Sequence, residues 1–228
     1  MKRIFYLISL LLGICLNAEA QNIEANNWNF GLRAGIGAAN QDGDIDDTDP
    51  ILNFHVGGAV SYAFTSHFYI ESGLSFSRKG CHTEESASAK SNLLSTGISG
   101  KLEETNNLYY LQVPILASYR FTFSNELGLN LQAGPYLAYG IAGKCKWETS
   151  GDVKILGINT GGKDEGDFDS FDDDRYNKFD TGVKISAGLQ YNACSFSLGC
   201  EHSVINIFDN DDYDVYNNVL TFTFGYDF

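Results

Sequence analysis

The stretch Leu127-Gly128-Leu129-Asn130-Leu131-Gln132-Ala133-Gly134-Pro135-Tyr136-Leu137-Ala138-Tyr139-Gly140-Ile141 decides the fold. Its odd positions hold Leu, Leu, Leu, Ala, Pro, Leu, Tyr and Ile, and its even positions hold Gly, Asn, Gln, Gly, Tyr, Ala and Gly. Alternation with a period of 2 sends successive side chains to opposite faces of a strand. One face is therefore continuously apolar. The other is small and neutral, without the Lys and Glu of a sheet that faces water.

The same pattern recurs along the chain. From Trp28, even positions read Trp28, Phe30, Leu32, Ala34, Ile36, Ala38. Further runs carry Phe54, Val56, Gly58, Val60, Tyr62, Phe64, then Phe68, Ile70, Ser72, Leu74, Phe76, and then Tyr109, Leu111, Val113, Ile115, Ala117, Tyr119, Phe121. After the Leu127 run come Val183, Ile185, Ala187, Leu189, Tyr191, then Phe196, Leu198, Cys200, and finally Leu220, Phe222, Phe224, Tyr226, Phe228. Short turns near Thr65-Ser66, Phe123-Ser124-Asn125 and Asn192-Ala193 alternate with long loops at about 40–52, 79–107, 142–178 and 205–217. An even number of strands with short turns on one rim and long loops on the other predicts an all-β, eight-stranded antiparallel up-and-down transmembrane β-barrel. A soluble β-sandwich also alternates. Against it stand the uncharged second face and the aromatics gathered near strand ends, where membrane interfaces concentrate them. Pro114, inside the fourth run, lacks the N–H of a closed ladder and predicts a bulge or a missing bond there.

Outside the runs, Met1-Lys2-Arg3 precedes an apolar stretch from Ile4 to Leu16, too short to span a bilayer, and Ala18-Glu19-Ala20 has the small-residue pattern of a cleavage site. Residues 1–20 read as a signal peptide cut between Ala20 and Gln21, and residues 21–228 as one barrel domain. The formal net charge of −14 argues against a nucleic-acid partner, because phosphate binding needs a basic face.

Tyr110-Leu111-Gln112-Val113-Pro114-Ile115-Leu116 resembles the Tyr-Leu-Glu-Ile-Pro-Leu-Leu segment of the PorT-like outer-membrane β-barrel family of Bacteroidetes. Gly134-Pro135-Tyr136-Leu137-Ala138-Tyr139 is similar to that family's Gly-Pro-Tyr-Leu strand, and Phe179-Asp180-Thr181-Gly182 and Asn206-Ile207 also match family segments. Gln112 departs from the usual Glu, and His202 stands where Tyr is common. The resemblance implies an outer-membrane barrel. Most members have no assigned activity, and one branch takes part in type IX protein secretion.

Candidate sites are few. Cys194 and Cys200 lie too far apart along one strand to bridge each other. Cys81 and Cys145 both open long loops on the same rim, and export permits a disulfide between them; two free thiols are the alternative. Asp42, Asp44, Asp46, Asp47 and Asp49, the acidic stretch Asp164 to Asp174, and Asp209, Asp211, Asp212 and Asp214 make acidic loops. Asn53 stands where a calcium loop needs its terminal Glu, so solvated loops near lipopolysaccharide are expected instead of a defined metal site. Glu201-His202-Ser203 has the residue types of a hydrolase, but consecutive residues on a strand point to opposite faces. On the inward parity, Arg33, Arg120 and Lys184 balance Glu71, Glu126 and Glu201, and ion pairs Arg33–Glu71, Arg120–Glu126 and Lys184–Glu201 are expected to plug the lumen.

The sequence thus predicts a non-enzymatic protein of the cell outer membrane, without a cofactor, whose acidic surface loops serve structural or binding roles. An accessory part of a secretion machine and an outer-membrane hydrolase or acyltransferase are the alternatives. Expected partners are outer-membrane lipid and lipopolysaccharide, the barrel-assembly machinery, which would read the terminal Phe228 stripe during insertion, and an envelope protein.

Overall fold

The computed structural model describes residues 27–45, 47–91, 96–124, 126–155, 158–171, 175–209 and 213–228. The expected signal peptide and its cut at Ala20–Gln21 lie outside these residues. The strands in chain order are β1 (Asn27–Gly43), β2 (Thr48–Ala63), β3 (Phe68–Lys79), β4 (Cys81–Ser91), β5 (Thr96–Thr122), β6 (Leu127–Ile155), β7 (Ile158–Asp169), β8 (Phe179–Tyr191), β9 (Cys194–Ser203) and β10 (Val215–Asp227).

Eight of them form a closed antiparallel ring, β1–β2–β3–β5–β6–β8–β9–β10, sealed where β10 pairs with β1 from Gly31↔Asp227 to Gly43↔Val215. Closure leaves no edge, which a sheet in hydrocarbon cannot tolerate. The alternating faces sort as their side chains demand. Leu32, Ile36, Val56, Leu131, Ile185, Leu198 and Leu220 point outward and are exposed. Glu71, Gln112, Asn130, Gln190, Glu201 and Thr221 point inward and are buried. An apolar belt that circles the whole molecule is a surface for lipid, not water. Aromatic rings border it at both ends: Trp28 against Tyr62 and Phe64 against Phe68 near the short turns, and Phe76 stacked on Tyr109 at 5.7 Å near the long connections.

The long connections depart from expectation. Residues 79–107 and 142–178, read from sequence as loops, contain β4, the first half of β5, the last part of β6 and β7. These pair in the order β4–β5–β6–β7 and continue the wall as a four-stranded sheet beyond the ring. The twelve residues Thr96–Asn107 of β5 alone extend roughly 40 Å at the usual strand rise. From Ser99 to Thr105 the Ser, Gly, Lys, Glu and Thr residues are exposed or half-buried, so no hydrophobic alternation marks them as a strand.

Ladder pairing lapses beside Pro114, as its missing N–H requires. Between Ser72↔Ile115 and Ser75↔Gln112 the β3–β5 pairs are absent, and Ser72 Oγ donates to the Pro114 carbonyl at 2.8 Å. On the other flank, β5–β6 pairing skips from Pro114↔Tyr136 to Ala117↔Ala133, a gap in which Pro135 of β6, also without an N–H, stands opposite Ile115. The register shift in β5–β6 falls elsewhere, at Tyr109/Tyr110.

Candidate functional site: the charged lumen and its cap

The inward faces build two charged layers. The layer toward the long connections centres on Lys79, at the end of β3 and fully buried. Its Nζ lies 3.0 Å from Asp180 Oδ2 and 3.6 Å from Glu201 Oε2. The rings of Tyr136 and Tyr110 face it at 4.1 and 5.5 Å. Asp180 also accepts from Ser203 Oγ at 2.6 Å and Asn217 Nδ2 at 3.1 Å. Glu201 accepts from Lys184 Nζ at 2.7 Å and Gln112 Nε2 at 3.1 Å. Each buried charge therefore meets its opposite, and both carboxylates accept further hydrogen bonds, the condition under which burial is tolerated. Tyr110 and Tyr136 belong to the two segments that carry the family resemblance. Those segments build the pocket of the buried lysine.

Above this layer the mouth is capped. Phe171, Tyr176, Ile207 and Val215 pack with Leu108, Tyr110, Tyr136 and Ala138 in one apolar cluster. Gly140 is needed there, because a Cβ would come within 2.3 Å of the Phe171 ring. Tyr176 bridges to Phe208 and stacks edge-on against it at 5.3 Å. Arg175 pins the cap to the wall: its Nη2 lies 2.7 Å from Glu104 Oε1, between the rings of Phe168 and Phe208. Burial opposes the Arg175 charge, but Glu104, Tyr176 and Cys145 together outweigh it and hold the guanidinium above its ordinary value.

The cysteines correct the disulfide expectation. Cys81 and Cys145 are free thiols, donating to Gln41 Oε1 and Glu104 Oε1, each at 3.1 Å. The register explains this. Cys145 stands opposite Asn106, and one step beyond His82↔Thr105 brings Cys81 to the other side of the same Asn106. With β5 between them, the two backbones are about 9.6 Å apart at the normal strand spacing, beyond disulfide reach. Burial raises the pKa of both thiols, and the neighbouring Glu104 raises that of Cys145 further.

The layer toward the short turns holds Arg33, with Glu71 and Asp227 each at 2.7 Å. Among the expected pairs, the structure brings together Arg33 with Glu71 and Lys184 with Glu201. It does not bring together Arg120 and Glu126. Glu126 is exposed at the turn, and Arg120 Nε donates to Asn130 Oδ1 at 2.8 Å. The pairing fails because Arg120↔Asn130 and Thr122↔Gly128 hold the register, leaving Glu126 beyond the last paired residue. Lys79 and Asp180 were missed from sequence because the runs were drawn too short, whereas Asp227 lies within the last run, on its inward parity, and was left out of the charge balance. The alternation itself, carried on to Lys79 in β3 and back to Asp180 in β8, would have found the first two.

On the sheet beyond the ring, Glu84, Glu103, Glu148 and Glu165 stand directly opposite one another in a single cross-strand row. Lys101 answers it from the next row, bridging Glu84 at 2.9 Å and also Glu103, while Lys163 reaches Glu148 at 2.5 Å. Like charges so placed repel, and these lysines offset the repulsion. His202 is exposed on the outer wall with Nδ1 2.6 Å from Asn218 Oδ1, whereas its neighbours Glu201 and Ser203 are turned into the lumen.

Solved barrels resemble the chain at low identity. The attachment invasion locus protein Ail of Yersinia pestis is 16% identical with a TM-score of 0.41, covering 90% of this chain and 100% of its own. Neisserial surface protein A is 12% identical with a TM-score of 0.38 over 87% and 97%, and OprG of Pseudomonas aeruginosa is 10% identical with a TM-score of 0.32 over 90% and 98%. No curated protein matches the chain. A family model described as the outer membrane protein beta-barrel domain matches residues 19–209, and the chain belongs to that family of the bacterial outer membrane.

Proposed function

We propose that the protein is a non-enzymatic outer-membrane anchor: a barrel closed to solutes that holds a charged sheet outside the cell as a structural or binding surface. The observation that carries this reading is the filling of the outer half of the lumen. Lys79, Asp180, Glu201 and Lys184 are mutually paired there under an apolar cap, while β4–β7 project beyond the ring. The divergence of His202 from Glu201 and Ser203 supports the non-enzymatic part, against a hydrolase or acyltransferase. The row of glutamates and its lysines suits contact with outer-leaflet glycolipid, in part through divalent cations, or with an envelope protein. The stripe from Leu220 to Phe228 suits recognition by the barrel-assembly machinery.

A second reading, an accessory part of a secretion machine of the PorT-like kind, is favoured by the Tyr110–Leu116 and Gly134–Tyr139 segments. Its contacts would come from the periplasmic turns. Site-specific photo-crosslinking in native membranes separates the two. Capture from positions 86 and 165 on the sheet, with none from positions 66 and 124 in the turns, is the expected result. Capture confined to the turns would transfer support to the secretion reading.

A further inference from the structure

Below the Lys79 layer the lumen is not filled. The inward positions of β2, β3, β8 and β9 include Gly57, Gly73, Gly188, Ser197 and Gly199, and they border a cavity of about 90 Å³. The cavity reaches the short-turn rim at Asn29, Tyr69, Arg120 and Asp227. That rim is the periplasmic one in an outer-membrane barrel.

Arg33, Arg120 and Lys184 line this space against the acids Glu71 and Asp227. Arg33 occupies both acids, at 2.7 Å each, and Lys184 is held by Glu201 at 2.7 Å from the layer above. Arg120 is different. Its guanidinium lies over the Tyr69 ring at 5.4 Å, and its Nε donates to the neutral Asn130. Among the described residues no carboxylate comes within ion-pair distance of it. A half-buried guanidinium without an anion forgoes the compensation that its desolvation calls for. Around it, Asn130, Gln132, Ser186 and Gln190 line the same cavity as an uncharged network in which Asn130 Nδ2 donates to Gln190 Oε1 and Ser186 Oγ donates to Gln132 Oε1.

We propose that this cavity is a periplasm-facing binding site for a small oxyanion, of the phosphate or carboxylate class, held by Arg120. The size suits a small ion: an engineered cavity of about 150 Å³ holds benzene, so about 90 Å³ scales to about four heavy atoms, the size of acetate, and phosphate would sit with an oxygen toward the open rim. With Arg33 paired to Glu71 and Asp227 and Lys184 to Glu201, Arg120 is the lining cation left to draw an anion. The closed layer above leaves entry from the short-turn side alone. The bound group is either a free ion or the end of a longer molecule, and the two oxyanion chemistries are separated by probe.

The test uses the refolded full barrel in detergent, with thermal unfolding followed while inorganic phosphate or acetate replaces chloride at constant ionic strength. A ligand that binds only the folded state raises the midpoint in a saturable way. Wild type is expected to respond to at least one anion. A response to phosphate alone assigns the phosphate class, and a response to acetate assigns a carboxylate; both support the site. Arg120→Lys is expected to keep a weakened response and Arg120→Gln to lose it, with folding checked by heat-modifiable migration. Ser197→Leu fills the cavity without touching an ion pair and is expected to lose the response as well, which covers the case in which Arg120→Gln does not fold. No saturable response of wild type to either anion, or the same response in Arg120→Gln and Ser197→Leu, overturns the proposal.

Discussion

Replacing Lys79 with Met keeps the length of the side chain and removes its charge. Lys79 is fully buried, so no water takes over its contacts. Asp180, 3.0 Å away, then becomes a buried carboxylate without a cation, and Glu201 loses its second cation at 3.6 Å while keeping Lys184 at 2.7 Å. Removing one partner of a buried pair costs about 3–5 kcal/mol. Asp180 still accepts from Ser203 and Asn217, so the lower end, about 3 kcal/mol, is expected for Lys79→Met. The double variant Lys79→Met/Asp180→Asn leaves no uncompensated charge and is expected to cost about 1–2 kcal/mol, less than the single variant, because two neutral groups replace the pair. The assay is reversible denaturant unfolding in lipid vesicles, read by tryptophan fluorescence and analysed as a double-mutant cycle. An unchanged midpoint in Lys79→Met, or strictly additive losses in the double variant, would refute the view that this pair is coupled and buried.

Three further outcomes are expected. Leu131→Arg, on the lipid face of β6, should cost about 2–4 kcal/mol near the midplane, whereas Ser150→Ala on the outer sheet should stay within about 0.5 kcal/mol by the same unfolding assay. Maleimide should label Cys81 and Cys145 slowly in the folded barrel and fully after unfolding without reductant. Both thiol pKa values are raised, so the thiolate fraction at neutral pH is small and labelling should quicken only as pH climbs toward them; labelling that requires reductant would revive the disulfide. Deleting Phe224 to Phe228 removes the last four β10–β1 pairs, Ala34↔Phe224 to Gly31↔Asp227, and the Phe228 N–H bond to the Phe30 carbonyl, so no heat-modifiable form should assemble.

The ring was legible because its wall is the most regular signal in the chain: Leu127 to Ile141 and Leu220 to Phe228 alternate without a break. The outer sheet was not, because Thr96–Asn107 and Lys144–Ile155 meet no hydrocarbon, and their pairing is written in backbone hydrogen bonds that any polar residue can make. Two lumen pairs followed from parity alone. The third failed because parity names a face but not a height: Arg120 and Glu126 share a side of the hairpin, yet Glu126 sits in the turn. The most deeply buried cation among the described residues, Lys79, stands just past the last aromatic of its run, inside a connection that reads as a loop. Cys81 and Cys145 share a rim and a row, but nothing local in sequence reveals the strand between them.

The most direct test of a closed barrel is planar-bilayer conductance of the refolded protein, alongside Glu71→Gln. With Lys79, Asp180, Glu201 and Lys184 paired beneath the cap, wild type should give no stable open steps, and Glu71→Gln, which strips Arg33 of one acid, should lose stability or become leaky. Reproducible, long-lived open steps from wild type would contradict the account.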